Sequence, residues 1–134
     1  MNRLGIIAVV CAAVLCGCVT AKVAIPENLK PMELIQRAQE ASDRNRYGVA
    51  LQYYEALLDR NAHDLYYVCT AEYEIAFIHY KQKKYPLART GFNALLERYE
   101  SPDGGKLPPQ FRLLAEKVLE RINERENKRR LFSR

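Results

Sequence analysis

The sequence contains no tryptophan, two histidines, two methionines and four cysteines among 134 residues. His63 and His79 stand far apart, with neither an HExxH pattern nor paired Cys/His spacing around them, which removes the usual zinc arrangements. There is no G-x-S-x-G elbow, no P-loop and no dinucleotide-binding glycine pattern, so nucleophilic, phosphoryl-transfer and hydride chemistry lack their usual signatures. Carboxylates are plentiful but interleaved with Lys and Arg along helical faces, the habit of solvated ion pairs. The reading is therefore of a protein that is not an enzyme, with no catalytic residues, no metal site and no cofactor. Six glycines and six prolines are too few for a collagenous or low-complexity chain. The longest apolar run, Leu4 to Leu15, is too short for a committed membrane-spanning helix. What is present is 49% hydrophobic and 28% charged residues, enough for one small domain with a modest core.

The N-terminus has the layout of an export signal: Met1-Asn2-Arg3 is a short positive start and Leu4 to Leu15 an apolar stretch. It ends in Leu15-Cys16-Gly17-Cys18, which resembles the lipobox of bacterial lipoproteins, with Cys16 where Ala or Ser is usual. The resemblance implies a signal peptide over 1–17, removal of which leaves Cys18 as a lipidated N-terminus, palmitate included. Several acyl chains hold a membrane far more firmly than one does. Val19 carries no acidic retention signal, which by the same analogy favours the outer membrane, facing the periplasm. Cys11 and Cys16 leave with the signal and Cys18 is consumed, so Cys69 remains alone and is expected to pack as a small hydrophobe. Residues 18–30 (Val19 to Lys30 after the Cys) have no helical period and read as a flexible tether reaching on the order of 40 Å when extended.

The body reads as all-α. Tyr47-Gly48-Val49-Ala50 through Leu57-Leu58 and Tyr85-Pro86-Leu87-Ala88 through Leu95-Leu96 share one pattern at an offset of 38 positions. In both, Ala follows Tyr by three, an aromatic comes four later (Tyr54, Phe92), and Leu-Leu closes the run. Amphipathic stretches precede each, Met32 to Arg44 and Asp64 to Lys81, joined by short polar turns. With Ala38 and Ala76 as the small residues of the first helices, this resembles the tetratricopeptide repeat, in which small positions let paired helices approach closely. The resemblance implies two such hairpins over 31–107. Glu100 to Pro108 is loop, and 108–134 is a final amphipathic helix with Phe111, Leu114, Ala115, Val118, Leu119 and Ile122 on one stripe, the cap of a short α-solenoid. Two hairpins and a cap fall below the usual repeat number, so docking to a partner or forming a homo-oligomer is expected.

The stretch Asp64 to Lys81 is too apolar for a single buried face. Either it is packed on both sides, or Tyr73, Phe77, Tyr80 and Lys81 line a peptide groove, extended by Met32, Ile35 and Gln39. Net charge is +5, and residues 110–134 hold eight Lys/Arg against four Glu. The basic tail Lys128, Arg129, Arg130 would suit anionic headgroups or an acidic partner, or be a solvated helix end; nucleic acid is not an expected partner of an exported, lipid-anchored protein. Lipobox, tether and the turn from Leu95 to Pro102 together resemble the BamD-type outer-membrane assembly lipoproteins, although those carry more repeats. The resemblance implies an envelope adaptor that binds a β-barrel assembly protein. The alternatives are another lipoprotein scaffold of this build (pilus, flagellar or cell-wall assembly), or a peptide-binding module using the aromatic groove.

Overall fold

The computed structural model describes residues 21–133; the signal peptide read over 1–17 and the lipidation candidate Cys18 lie outside the described residues. Among the described residues the chain forms five α-helices and no strand: α1 Pro31–Asp43, α2 Tyr47–Arg60, α3 Leu65–Lys81, α4 Tyr85–Tyr99 and α5 Pro109–Phe132, with a 3-10 turn at Gly104–Lys106. Helix starts follow local chemistry. Pro31, Pro86 and Pro109 sit in first turns, where the missing N–H has no intrahelical partner to lose. Asp64 caps α3, its Oδ1 accepting from the Tyr66 N–H at 2.9 Å and more loosely from Tyr67.

The helices pack as successive antiparallel pairs, α1 on α2 and α3 on α4, with α2 against α3 and α5 laid on α3 and α4. Positions 38 apart do the same job in each pair. Ala50 and Ala88, Leu57 and Leu95 are fully buried, and so, in effect, are Tyr54 and Phe92 and the alanines Ala38 and Ala76. The small residues set the approach of the helices: a Cβ added at Gly91 would lie 2.8 Å from the Ala76 Cβ, closer than two methyl carbons tolerate.

The turns correspond as well. In the first, the Arg46 N–H bonds back to the Ala41 carbonyl at 2.8 Å and Asn45 to Ser42 at 3.0 Å; in the second, Lys84 bonds to His79 and Lys83 to Tyr80, both at 2.9 Å. This pair of bonds ends a helix when the residue between them adopts left-handed φ. Asn45 has φ 57° and Lys83 φ 60°. Asparagine tolerates that region, whereas lysine has a Cβ penalty of about 1–2 kcal/mol there. Lys83→Gly is therefore expected to raise the thermal midpoint, by roughly 0.5–1 kcal/mol of stability once glycine's greater unfolded entropy is deducted; circular-dichroism melts of the two proteins check it.

The core divides at α3. Ala71 and Ile78 join the cluster of α1 and α2 residues, while Cys69, Tyr73 and Ala76 join the cluster built on α4, α5 and Leu107. The excess apolar surface of the Asp64–Lys81 stretch is thus explained largely by packing on two sides. Along the α5 stripe, Phe111, Ala115, Val118 and Ile122 are buried, but Leu114 remains 40% exposed.

The tether expectation needs correction. From Ala21 to Lys30 the chain is a strap docked along α2. The Val23 N–H donates to Gln52 Oε1 at 2.7 Å, and Gln52 Nε2 donates to the Ala21 carbonyl at 3.1 Å. Farther along, the Arg60 guanidinium donates to the carbonyls of Pro26 at 2.9 Å and Ile25 at 3.3 Å. Val23, Ile25 and Leu29 pack on the α1–α2 cluster, covering apolar surface that the first hairpin would otherwise leave open. The physical reason is that two long polar side chains satisfy the strap's backbone groups, so an unperiodic segment is held without becoming helix or strand.

Candidate protein-binding groove

Four residues of α3 carried the groove expectation, and the structure separates them. Tyr73 is 8% exposed, its ring centred 5.6 Å from that of Phe92 and 5.8 Å from that of Phe111. It joins α3 to α4 and α5 as a core residue, so its place on an open groove surface is corrected. Burial pushes its phenol up to about 12, with Glu74 adding to the shift and Arg121 opposing it. Phe77 and Tyr80 are half-buried and form an aromatic ladder with Tyr73: Tyr73 and Phe77 stack at 5.7 Å and 14°, Phe77 and Tyr80 at 5.7 Å and 18°. The spacing follows from residues three and four apart sharing one helix face. Of the proposed extension, Met32 is 58% exposed and Gln39 exposed, whereas Ile35 is buried.

Cations cover the edges of the ladder. Lys81 Nζ lies 5.3 Å from the Phe77 ring centre and donates to Ser42 Oγ at 2.9 Å, tying the end of α3 to the end of α1. On the other side the Arg125 guanidinium lies 6.0 Å from the Tyr80 ring and Arg129 5.8 Å from the Tyr85 ring. Such pairs are attracted by the ring quadrupole. Between α3 and α5 opens a cleft of about 530 Å³ lined by Tyr80, Arg121, Glu124, Arg125 and Lys128. Arg121 and Arg125 were not expected site residues; each lies one helical turn before a member of the basic tail or of this cleft, a signal the sequence does carry. Of the tail itself, Lys128 lines the cleft, Arg129 reaches Tyr85, and Arg130 stays on the exposed end of α5. Chemically the cleft offers the Tyr80 ring and three guanidinium or ammonium donors against one carboxylate, a surface for acidic or aromatic side chains.

α3 also carries one carboxyl in a less favourable setting. Glu74 is pushed above the ordinary carboxylate range by burial, with Lys81 opposing. A carboxyl that binds its proton more tightly when folded loses stability as pH rises from the ordinary glutamate range through its raised folded value. Glu74→Gln is therefore expected to raise the melting midpoint at pH 7 and leave it nearly unchanged at pH 4. Melts at the two pH values check the sign.

The remaining reactive groups are sequestered. Cys69 is fully buried and its thiol pushed up by that burial, partly offset by the neighbouring Tyr99 hydroxyl, which places it among unreactive packed cysteines. Tyr99 donates its hydroxyl to the Pro108 carbonyl at 2.6 Å. On the other side of α3, a shallow depression of about 290 Å³ is walled by Ile75, Leu87 and Ala94 beside His79, whose Nδ1 is buried without a hydrogen-bond partner. Among the described residues no group of three or more His, Cys, Asp or Glu has a metal-holding arrangement, and no helix is long and apolar enough to cross a membrane.

The chain is 36% identical over 87 residues to an uncharacterized protein of Treponema pallidum (strain Nichols), a match covering 65% of this chain. It spans about a third (35%) of the length of that curated relative. No family model matches the sequence, and no solved structure matches it.

Proposed function

We propose that this chain is a non-catalytic scaffold of the bacterial cell envelope, built of two tetratricopeptide-like hairpins and a capping helix and anchored through lipid on Cys18. It grips an envelope protein in the cleft between α3 and α5. The observation that carries the reading is the aromatic ladder Phe77–Tyr80 flanked by Lys81, Arg121 and Arg125: half-buried aromatics beside cations that outnumber the local carboxylates are the composition of binding hot spots. The 38-residue correspondence of turns, alanines and aromatics supports the repeat assignment, and the four-residue lipobox supports the anchor and an outer-membrane, periplasm-facing address. Within that class the nearest role by resemblance is that of the BamD-type lipoproteins in β-barrel assembly. A pilus, flagellar or cell-wall scaffold uses the same surface with a different partner.

Crosslinked pull-down from intact envelopes tests this. The wild-type chain is expected to recover a defined envelope partner, and recovery of a β-barrel assembly protein selects the first role. Phe77→Ala/Tyr80→Ala should keep its helical content and lose roughly tenfold or more of that partner, since truncating two hot-spot aromatics removes on the order of 2 kcal/mol or more. Undiminished recovery by a folded double variant overturns the groove. Tyr73→Ala is unsuited to this test because it removes a core residue. Metabolic labelling with palmitate, expected to vanish in Cys18→Ser, reads the anchor separately.

A further inference from the structure

The two hairpin turns lie at one end of the molecule, because α1 and α3 run in the same direction and end together at the Ser42–Lys81 contact. The first turn carries Arg44 and Arg46 and the second Lys83 and Lys84, all exposed. The last turns of α5 reach the same end, since Arg129 lies against Tyr85, the first residue of α4. Beyond it, Arg130, Leu131 and Phe132 project outward, Leu131 75% and Phe132 90% exposed. Opposing carboxylates are outnumbered there: Glu40, Asp43 and Glu124 are exposed, and Glu126 is paired with Arg89 at 2.8 Å. The other end, around the Glu100–Lys106 loop and the start of α3, mixes Asp64, Glu100 and Asp103 with its cations, Arg112 bonding Glu100 and Lys106 bonding Asp103. The charge is therefore segregated along the helix axes.

The strap adds an independent observation. It enters the body at Ala21, held by Gln52 Nε2, which also donates to the Gly48 carbonyl at the first turn of α2. The chain thus comes in at the basic end, beside the Arg44–Arg46 turn, where Arg37, Arg44 and Arg46 with Glu40 surround a shallow depression lined by Val23; the depression beside Lys22 runs along α2 past Glu55 and Asp59. Only Val19 and Thr20 separate Cys18 from that entry point, a span of about 10 Å even when fully extended.

We propose that this basic end is a membrane-apposed face. It rests on the anchored-scaffold reading for its attachment: an acylated Cys18 holds the body against the bilayer, the turn cations meet anionic headgroups, and Leu131 and Phe132 enter the interface. Cations next to an anionic leaflet and an apolar tip among arginines are the two elements of interfacial binding. The α3–α5 cleft then opens sideways, close to the membrane surface, and the Glu100–Lys106 loop points away from it.

The absence of tryptophan provides the test. Full-length protein carrying Phe132→Trp is reconstituted into vesicles of phosphatidylcholine with 30% phosphatidylglycerol and brominated acyl chains, beside Leu113→Trp, which reports the other end. Indole fluorescence of the Phe132→Trp protein is expected to be blue-shifted and quenched at least threefold more than that of the Leu113→Trp protein. The preference should be lost in pure phosphatidylcholine and in a Lys83→Gln/Lys84→Gln/Lys128→Gln/Arg130→Gln background. Equal quenching in the two proteins, no quenching of Phe132→Trp, or indifference to phosphatidylglycerol and to the four substitutions overturns the face. Failure of the anchor alone is read elsewhere, as palmitate label that survives Cys18→Ser, so the two failures are distinguishable.

Discussion

Phe92→Ala is expected to cost about 3–5 kcal/mol, the range for deleting a fully enclosed aromatic. Phe92 has no exposed surface, and its ring meets Tyr73 at 5.6 Å in the cluster that joins α3, α4 and α5. Domains of this size have only about 5–15 kcal/mol in total, so the loss is a large share of the margin. Because two hairpins and a cap form a short core, surrounding side chains have few neighbours to close over the cavity. Urea titration should show the midpoint displaced well below wild type, with the slope retained. Leu87→Ala on the same helix, 53% exposed, should shift it by less than about 0.5 kcal/mol. Similar midpoints for Phe92→Ala and Leu87→Ala would mean that Phe92 is not enclosed in the cluster of α3, α4 and α5.

Gly104→Ala has the second-largest expected effect, and Gly105→Ala is its control. A Cβ at Gly104 would be driven into the Tyr99 carbonyl oxygen and carbon, both backbone atoms, whereas one at Gly105 meets nothing within 4 Å. Gly104 is buried because the 3-10 turn folds back over the end of α4, placing Leu107 in the core and the Pro108 carbonyl under the Tyr99 hydroxyl. An added methyl must push the turn away from α4 and disturb the start of α5, at about 2–3 kcal/mol. At Gly105 the only consequence is a less mobile unfolded chain, neutral to stabilising by up to about 1 kcal/mol. Thermal melts of the pair decide it: equal midpoints would rule out the close approach.

The buried frame was legible because it has a period. Ala50, Tyr54 and Leu57 lie on one helix face, repeat as Ala88, Phe92 and Leu95, and are all buried. The helix limits followed from Asp64, Pro86 and Pro109, whose effects act within one turn. The strap was not legible, since Gln52 and Arg60 hold it through backbone carbonyls and leave no pattern in residues 21–30. The Arg98–Glu72 ion pair, 26 positions apart, was equally invisible. Tyr73 shows the limit for sites: an aromatic on the groove register reads alike whether covered or open, and Phe92 of α4 together with Phe111 of α5 decides that it is covered. Phe77 and Tyr80, one and two turns farther along, are only half covered.

The division of the core at α3 sets how a pull would travel through the molecule. Tension entering at Ala21 meets the hydrogen bonds of Gln52 and Arg60 first, then the α1–α2 layer, and reaches the Phe92 layer only after α2 peels from α3. Pulled from Ala21, the chain would yield in order: strap, first hairpin, then the layer built on α3, α4 and α5.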